Sequence, residues 1–556
     1  MEQFSKEMLD AARGLKPADA VFKNASVFNP FTCDWEEGTL AVKNGQVLGI
    51  GSYAGRKEFD CEGLFIIPGF IDAHVHIESS LLVPREYARL VVRHGTTSVI
   101  ADPHEIANVS GTAGIDFMLA GRQDAAMDIL YTLPSCVPAT PLSRGGTVLD
   151  SRDLLPYAGR EGIVGLGEMM NVPGVLAADS GILEKLQLLP LRDGHAPLLT
   201  GKDLNAYILA GLQSDHECTS LAEAEEKLRR GMYIFIREGS TERNIRDLIG
   251  LVTPQTVSRC CFASDDCHAD TLFEKGHIDH CVRRAVDCGL EPELAYRMAT
   301  LSPAERFGLF DRGALTPGRR ADFCIIDDPL TCRVKKVFVK GNEVLPDQRP
   351  VRKVDPPGTF RCVIPNPETI RISGSGEARV IGLIPLQIMT KSLRYTIGAH
   401  EIPDFTKDIL KIVVCNRYGN NACGVGLVHG FSFKQGAIAS SVSHDAHNII
   451  AVGTSDEEIR RAIEAVILSK GAMVAVFGES VTTLPLPCGG LMSTLPYPEV
   501  VERLGNLHTV SNAMGCIDNP FMYLSFLALP VIPSLRITDK GMFDVLKNTH
   551  VPIFTG

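Results

Sequence analysis

The chain has 556 residues, of which 45% are hydrophobic and 22% charged, and it carries a formal net charge of −11. It is too long for one ordinary domain, too apolar for a disordered chain, and too acidic for nucleic acid or an anionic membrane to be its main partner. Its 16 cysteines are scattered without a C-x-x-C pair, which argues against a zinc ribbon or disulfide framework and predicts mostly buried thiols in a reducing cytoplasm.

In chain order, the N-terminus carries acids and no apolar core of a signal peptide. Residues 1–17 read as a short amphipathic helix through Phe4, Met8, Leu9, Ala12 and Leu15. Ala20 to Gly63 is β-rich, with a hairpin signal at Asn44-Gly45. Residues 1–64 are therefore expected to supply the first part of a small β-sandwich domain. From 65 to 308 the pattern alternates. Apolar runs at Phe65–Ile71, Thr97–Ala101, Asp128–Leu133, Ile163–Gly167, Leu188–Arg192, Ala210–Gln213, Tyr233–Ile236 and Cys260–Ala263 predict strands. Helices are predicted between several of them, at Pro84–Arg93, Ala113–Ala120, Leu221–Arg229 and Thr241–Ile249. About eight βα repeats predict an α/β fold built on a (β/α)8 TIM-like barrel. A doubly wound open sheet shares this alternation. The barrel is preferred because unusual polar residues cluster at the C-terminal ends of most of these strands, where barrel active sites are built.

Residues 309–345 return to β-rich runs and predict the second part of the β-sandwich domain. Six prolines between Pro346 and Pro367 mark a linker over 346–367. Residues 368–556 predict a C-terminal α/β domain, with helices at Glu457–Leu468 and Tyr497–Leu504 and a strand at Met473–Phe477. The apolar stretch 521–532 contains Pro530 and is too short to span a bilayer.

The chemistry sits at the predicted strand ends. Asp72-Ala-His74-Val-His76 places two imidazoles two residues apart, so a strand end aims both to one side. Asp72 is positioned to orient His74 from beneath. Later strand ends offer Asp102-Pro-His104-Glu105, Glu168, His195, His216-Glu217, Arg237-Glu238 and Asp265-Asp266. A carboxylate between clusters of imidazoles suits two divalent ions, and one at the eighth strand can also relay protons. The P-loop, H-E-x-x-H and G-x-S-x-G patterns are absent, and His76-Ile-Glu78 lacks the P-C-x-x-C partner of the cytidine-type zinc deaminases. His444-Asp-Ala-His447-Asn448 has three readings: a second metal site, a cover over the barrel mouth, or histidines satisfied in turns.

Pro68-Gly-Phe-Ile-Asp-Ala-His-Val-His76, the β-rich flanks and Asp265 resemble the amidohydrolase superfamily of metal-dependent hydrolases. Longer stretches are similar to its microbial adenine deaminase family: 77–80, 101–109, 167–174, 194–198, 214–219, 263–266, 429–431, 437–448 and 489–493. The likeness covers essentially the whole chain. It implies hydrolysis of adenine to hypoxanthine and ammonia in purine salvage, at a two-metal centre using manganese or iron, with zinc possible. Many amidohydrolases bridge their metals with a carbamylated lysine at the fourth strand, and here that position is Glu168. The resemblance implies His74, His76, Glu168 and Asp265 around one metal, and Glu168, His195 and His216 around the other. It further implies Asp265 as the proton relay, Glu217 facing purine N1, and Glu105, His104 and Asp266 along the purine edge. The alternative is a cyclic-amide hydrolase of the dihydroorotase or hydantoinase type, which Glu168 argues against. A non-catalytic scaffold should have lost ligands, and every ligand position is filled. The expected partner is adenine, with no nucleic acid and no membrane, and the expected assembly is a cytoplasmic homo-oligomer, a dimer favoured.

Overall fold

Short runs of apolar residues, buried at nearly every position, build the centre of the protein. In the structure, a computed structural model that describes residues 5–140, 144–345, 360–398 and 402–555, they form eight parallel strands. The first five, Phe70–Val75, Thr96–Ala101, Asp128–Leu133, Ile163–Met169 and Arg192–Gly194, pair in sequence order. Ser214–Asp215, Tyr233–Arg237 and Cys260–Ala263 form a second parallel set. Backbone hydrogen bonds close both seams. Gln213 N–H donates to the Arg192 carbonyl at 3.4 Å, and Asp265 N–H to the His74 carbonyl at 3.0 Å. Alternate residues separate the two faces. Ile100, Leu130, Phe235 and Cys261 pack together within the barrel. Val99, Ile129, Ile234 and Phe262 pack among the surrounding helices.

Two departures from the expected strands have local causes. The run Phe65–Ile71 is split. Phe65–Pro68 joins the flanking sheet, pairing with Phe323–Ile326, and the barrel begins at Phe70. Pro68 lacks an N–H for a continuing ladder. Gly69 passes so close to Thr97 that a Cβ would lie 2.3 Å from its Oγ1. The fifth and sixth strands fall later than the apolar runs at 188–192 and 210–213, which instead pack as the exits of helices Ser180–Leu186 and Gly201–Leu209. The strands themselves are Arg-Asp-Gly and Ser-Asp, so hydrophobic periodicity cannot find them.

The flanking sheet draws strands from both sides of the barrel. Its hydrogen bonding runs through Asn342–Glu343, Val334–Val339, Phe323–Ile326, Phe65–Pro68, Ala18–Asn29, Asp34–Lys43 and Gln46–Gly51, with Gly55–Asp60 also paired to Ala18–Asn29. Phe22 stacks on Phe59 and meets Phe323 and Phe338 edge-on at its core. Lys6–Ala12 is helical, while Phe4 of the expected helix lies outside the described residues. So do 346–359 of the expected linker.

The C-terminal unit has an eight-stranded sheet, antiparallel at all but one pairing. One face carries helix Asp456–Leu468 through Ile459, Ala462, Ile463 and Val466. Residues of the other face, such as Ile412, Val428 and Ile450, join the apolar cluster that contains the barrel's helices. The helix expected to end at Leu504 runs on to Met514, because Leu504, Leu507, Ser511 and Met514 keep one face buried until Gly515 caps it with φ +88°. It docks on the barrel. Tyr497 N–H donates to Glu86 at 3.1 Å, and His508 Nε2 lies 2.8 Å from Asp270 Oδ2. Among the described residues, no helix is long and apolar enough to cross a membrane.

Asp128, at the base of the third barrel strand, ties the barrel to the chain returning to the flanking sheet. It accepts from Arg312 Nη1 at 2.8 Å and also pairs with Arg320. Burial raises its carboxyl, but the two guanidiniums outweigh burial and lower it to about 2. A depressed carboxyl stabilises the fold above its unfolded value and loses that contribution as pH falls through the folded one. Asp128→Asn is therefore expected to cost about 2 kcal/mol at pH 7. In urea unfolding, the gap from wild type should narrow between about pH 4 and pH 2.

Candidate active site

The barrel gathers its imidazoles around one carboxylate. His74 and His76 leave the first strand on the same side, their Nε2 atoms 3.1 Å apart. These atoms lie 3.7 and 3.1 Å from Glu168 Oε1, at the end of the fourth strand. The other carboxylate oxygen, Oε2, lies 2.6 Å from His195 Nδ1 and 3.2 Å from His216 Nε2. Asp265 adds its Oδ1 at 3.6 Å from His74 Nε2 and 3.3 Å from His76 Nε2. None of these six residues is more than 5% exposed.

This donor set fits divalent cations. His76 Nδ1 sits 3.0 Å from the Asp102 carbonyl, which directs the ring N–H outward and leaves the Nε2 lone pair facing the cluster. Burial, with His216 and His76 nearby, pushes His74 well below its ordinary value, so its imidazole is neutral. Burial would raise Glu168, but the imidazoles of His216 and His195 hold it well below the usual carboxylate range. Imidazole nitrogens and carboxylate oxygens converging within a few ångströms are ligands for manganese, iron or zinc.

A second layer fixes this geometry. Asp102 Oδ2 accepts the Glu168 backbone N–H at 3.0 Å, and Gly167 is required beside it, since a Cβ would lie 2.0 Å from the same oxygen. Asp72 does lie beneath His74, but it holds the backbone rather than the ring. Its Oδ1 accepts from His74 N–H at 3.2 Å and Ser264 N–H at 3.1 Å. Its Oδ2 meets His277 Nε2 at 2.9 Å, a residue that sequence reasoning did not single out.

Arg237 is another side chain to which sequence reasoning gave no role. Its Nη1 donates to Glu217 at 2.6 Å and to Asp265 Oδ2 at 2.7 Å, while Nη2 donates to Glu217 at 2.8 Å and Nε to Asn244 at 3.0 Å. It stands at a predicted strand end among carboxylates, which was the available signal. Asp265 itself has φ +54°, a strained conformation for a non-glycine residue.

Beyond the imidazoles lies a small cavity. The barrel contributes His104, Glu105, Asp266 and Glu217 to its lining, and the C-terminal unit contributes Ile388, His444, Asp445, Phe526 and Leu529. His444 Nδ1 and His447 Nε2 each engage one oxygen of Glu105, and His104 Nε2 is 3.3 Å from the same carboxylate. The His444 motif therefore lies across the barrel mouth, and its two imidazoles with Glu105 also form a group that could hold a metal ion. Asp266 receives the Ser79 hydroxyl, and burial with the neighbouring Asp265 charge pushes it up to about 6. His74, His76, His104, Glu105, Glu168, His195, His216, Glu217, Asp265 and Asp266 thus lie around one buried centre. Ile388, Phe526 and Leu529 were missed, since apolar side chains in a distant segment give no sign of facing a cavity.

Comparison with known proteins supplies a family. The amidohydrolase family matches residues 65–344, and the family described as adenine deaminase C-terminal domain matches 387–549. An adenine deaminase of Methanoregula boonei is 60% identical over 548 residues, covering 98% of both chains. One from Methanoculleus marisnigri is 59% identical over 515 residues, covering 93% of this chain and 99% of its own. Adenine deaminase 2 of Carboxydothermus hydrogenoformans is 44% identical over 564 residues, covering 99% of both.

Removing the guanidinium that joins Glu217 and Asp265 leaves two buried carboxylates without their cation. Arg237→Met is expected to cost about 3–5 kcal/mol of unfolding free energy, read as a lowered urea midpoint. An unchanged midpoint would mean that the three groups do not form a buried cluster in solution.

Proposed function

The chain belongs to the adenine deaminase family of the amidohydrolases, and on that premise we propose that it hydrolyses adenine to hypoxanthine and ammonia, in purine salvage. The observation that carries the reading is Glu168, a single buried carboxylate with two imidazoles on each oxygen. His74, His76, Glu168 and Asp265 would hold one divalent ion, and Glu168, His195 and His216 the other, with manganese or iron preferred. Bound there, such ions acidify water enough to provide a nucleophile near neutral pH.

The reaction also needs groups that handle protons. C6 of adenine is part of an aromatic ring, so N1 must gain a proton as C6 is attacked, and the amino group must leave as ammonia. Asp265 is the proposed proton carrier: one oxygen faces His74 and His76 while Arg237 holds the other, which fixes its orientation. Glu217 is proposed to face N1, standing 3.7 Å from both His195 Nδ1 and His216 Nε2, with Arg237 fixing both of its oxygens. His104, Glu105 and Asp266 line the cavity beyond and are proposed to meet the purine edge. The C-terminal unit covers this space and excludes water, which strengthens every electrostatic contact within it.

The direct test is incubation of protein loaded with manganese or ferrous iron with adenine, following ammonia and hypoxanthine. Equal amounts of both are expected, and no ammonia would overturn the reading. Asp265→Asn should lower turnover by about 10²–10⁴-fold, the range for loss of a general acid–base group. Glu168→Gln should lower bound metal from two ions per chain to one or none, measured by elemental analysis; two retained ions with normal turnover would exclude the bridging role.

A further inference from the structure

Of the buried polar atoms without a partner in the cavity's lining, two lie on residues that the proposed chemistry does not use. The segment after strand Ala437–Ser440 crosses from the C-terminal unit to the barrel mouth and is pinned on several sides. His444 N–H donates to the Ser525 carbonyl at 2.9 Å, and the His444 ring stacks on Phe526 at 4.7 Å between centroids. Glu105 takes His444 Nδ1 on one oxygen and His447 Nε2 on the other. This leaves His444 Nε2 and Asp445 Oδ2, on residues 2% and 3% exposed, with no hydrogen-bond partner among the described residues. Both residues line the cavity that contains Glu168 and Asp265. The other oxygen of Asp445 lies 3.8 Å from His104 Nε2. Buried polar atoms are almost always satisfied, so a pair left open beside a catalytic cluster marks where a ligand completes them.

The chemistry of the substrate says which of its atoms these are. With C6 and N1 committed to Glu168, Asp265 and Glu217, the five-membered ring is left to reach the opposite side of the cavity. In a free purine base one of the two nitrogens of that ring carries a hydrogen and the other a lone pair. In a nucleoside, N9 carries the sugar and the N–H is gone. A carboxylate and an imidazole lining one cavity match the free base, since the carboxylate can accept the N–H and the imidazole can meet the other ring nitrogen. Burial disfavours the charged form of His444, but Glu105 and Asp266 outweigh it and raise the group to about 9, so Nε2 can donate. Ile388, Phe526 and Leu529 line the same cavity with apolar side chains that offer a sugar no polar partner.

We propose that Asp445, with His444 beside it, is the specificity-determining contact of this enzyme, accepting the five-membered-ring N–H that distinguishes a free purine base from its nucleoside. The proposal rests on the deaminase reading above. A site built to bond an N–H rejects an analogue lacking it far more strongly than an apolar pocket rejects added bulk.

The test compares kcat/KM for adenine with that for an adenine analogue carrying sulfur in place of N9–H, using metal-loaded protein. Wild type is expected to prefer adenine by on the order of 10⁴–10⁵-fold. In Asp445→Ala and Asp445→Asn that preference should collapse to about 10-fold or less, through loss of adenine turnover rather than gain on the analogue. Two bound metals and an unshifted unfolding midpoint would separate this from general damage. Variants that keep the wild-type preference overturn the proposal. If the variants fail to fold, wild type decides alone, since equal turnover of adenine and the analogue also overturns it. Failure of wild type to deaminate adenine at all counts instead against the deaminase reading.

Discussion

A carboxylate buried as deeply as Glu168 is costly unless something beside it compensates. Much of the protein around it is arranged to supply that compensation. Four imidazoles divide between its two oxygens, its backbone N–H is anchored by Asp102, and Gly167 lets that anchor approach. Each imidazole comes from a different point on the rim or from one strand end, so the cluster exists only if the barrel closes. The hydrogen bonds of Asp265 and His76 across the final seam tie closure and site together in the same few residues.

Charge balance on the far side depends on Arg237. Two carboxylates, Glu217 and Asp265, lie within the reach of one guanidinium whose planar fork suits such pairing. A point-like ammonium could neutralise charge there but could not hold both groups at fixed angles. Orientation matters more than charge at this place, because Asp265 offers its second oxygen to the imidazoles and the direction of that oxygen decides what it can deliver.

Much of this was legible in the sequence where one residue type carried a strong signal. His74 and His76 announce a shared direction by their spacing, and strands such as Cys260–Ala263 are apolar throughout. The fifth and sixth strands were placed too early, because Asp193, Ser214 and Asp215 are buried polar residues paired with one another, Arg306 and Lys227, and so erase the periodicity that marks a strand. The break at Pro68-Gly69 was written in two residues whose effect on pairing is understood, yet the flanking apolar run outweighed them. Arg237 was visible at a strand end but its role was not, and Phe526 could not be read at all, since the partners of both are brought near only by the fold. The His444 motif was visible, but its place could be known only from the fold, which sets Glu105 against it across the barrel mouth.

The cavity takes its lining from both ends of the chain: Glu105 belongs to the barrel, while His444 and His447, which engage it, belong to the C-terminal unit. His444 in turn stacks on Phe526, in helix Pro520–Phe526. The site is therefore shared property of two folds, and a substitution that loosens the C-terminal unit reaches the barrel's carboxylates through Glu105 without touching a barrel residue.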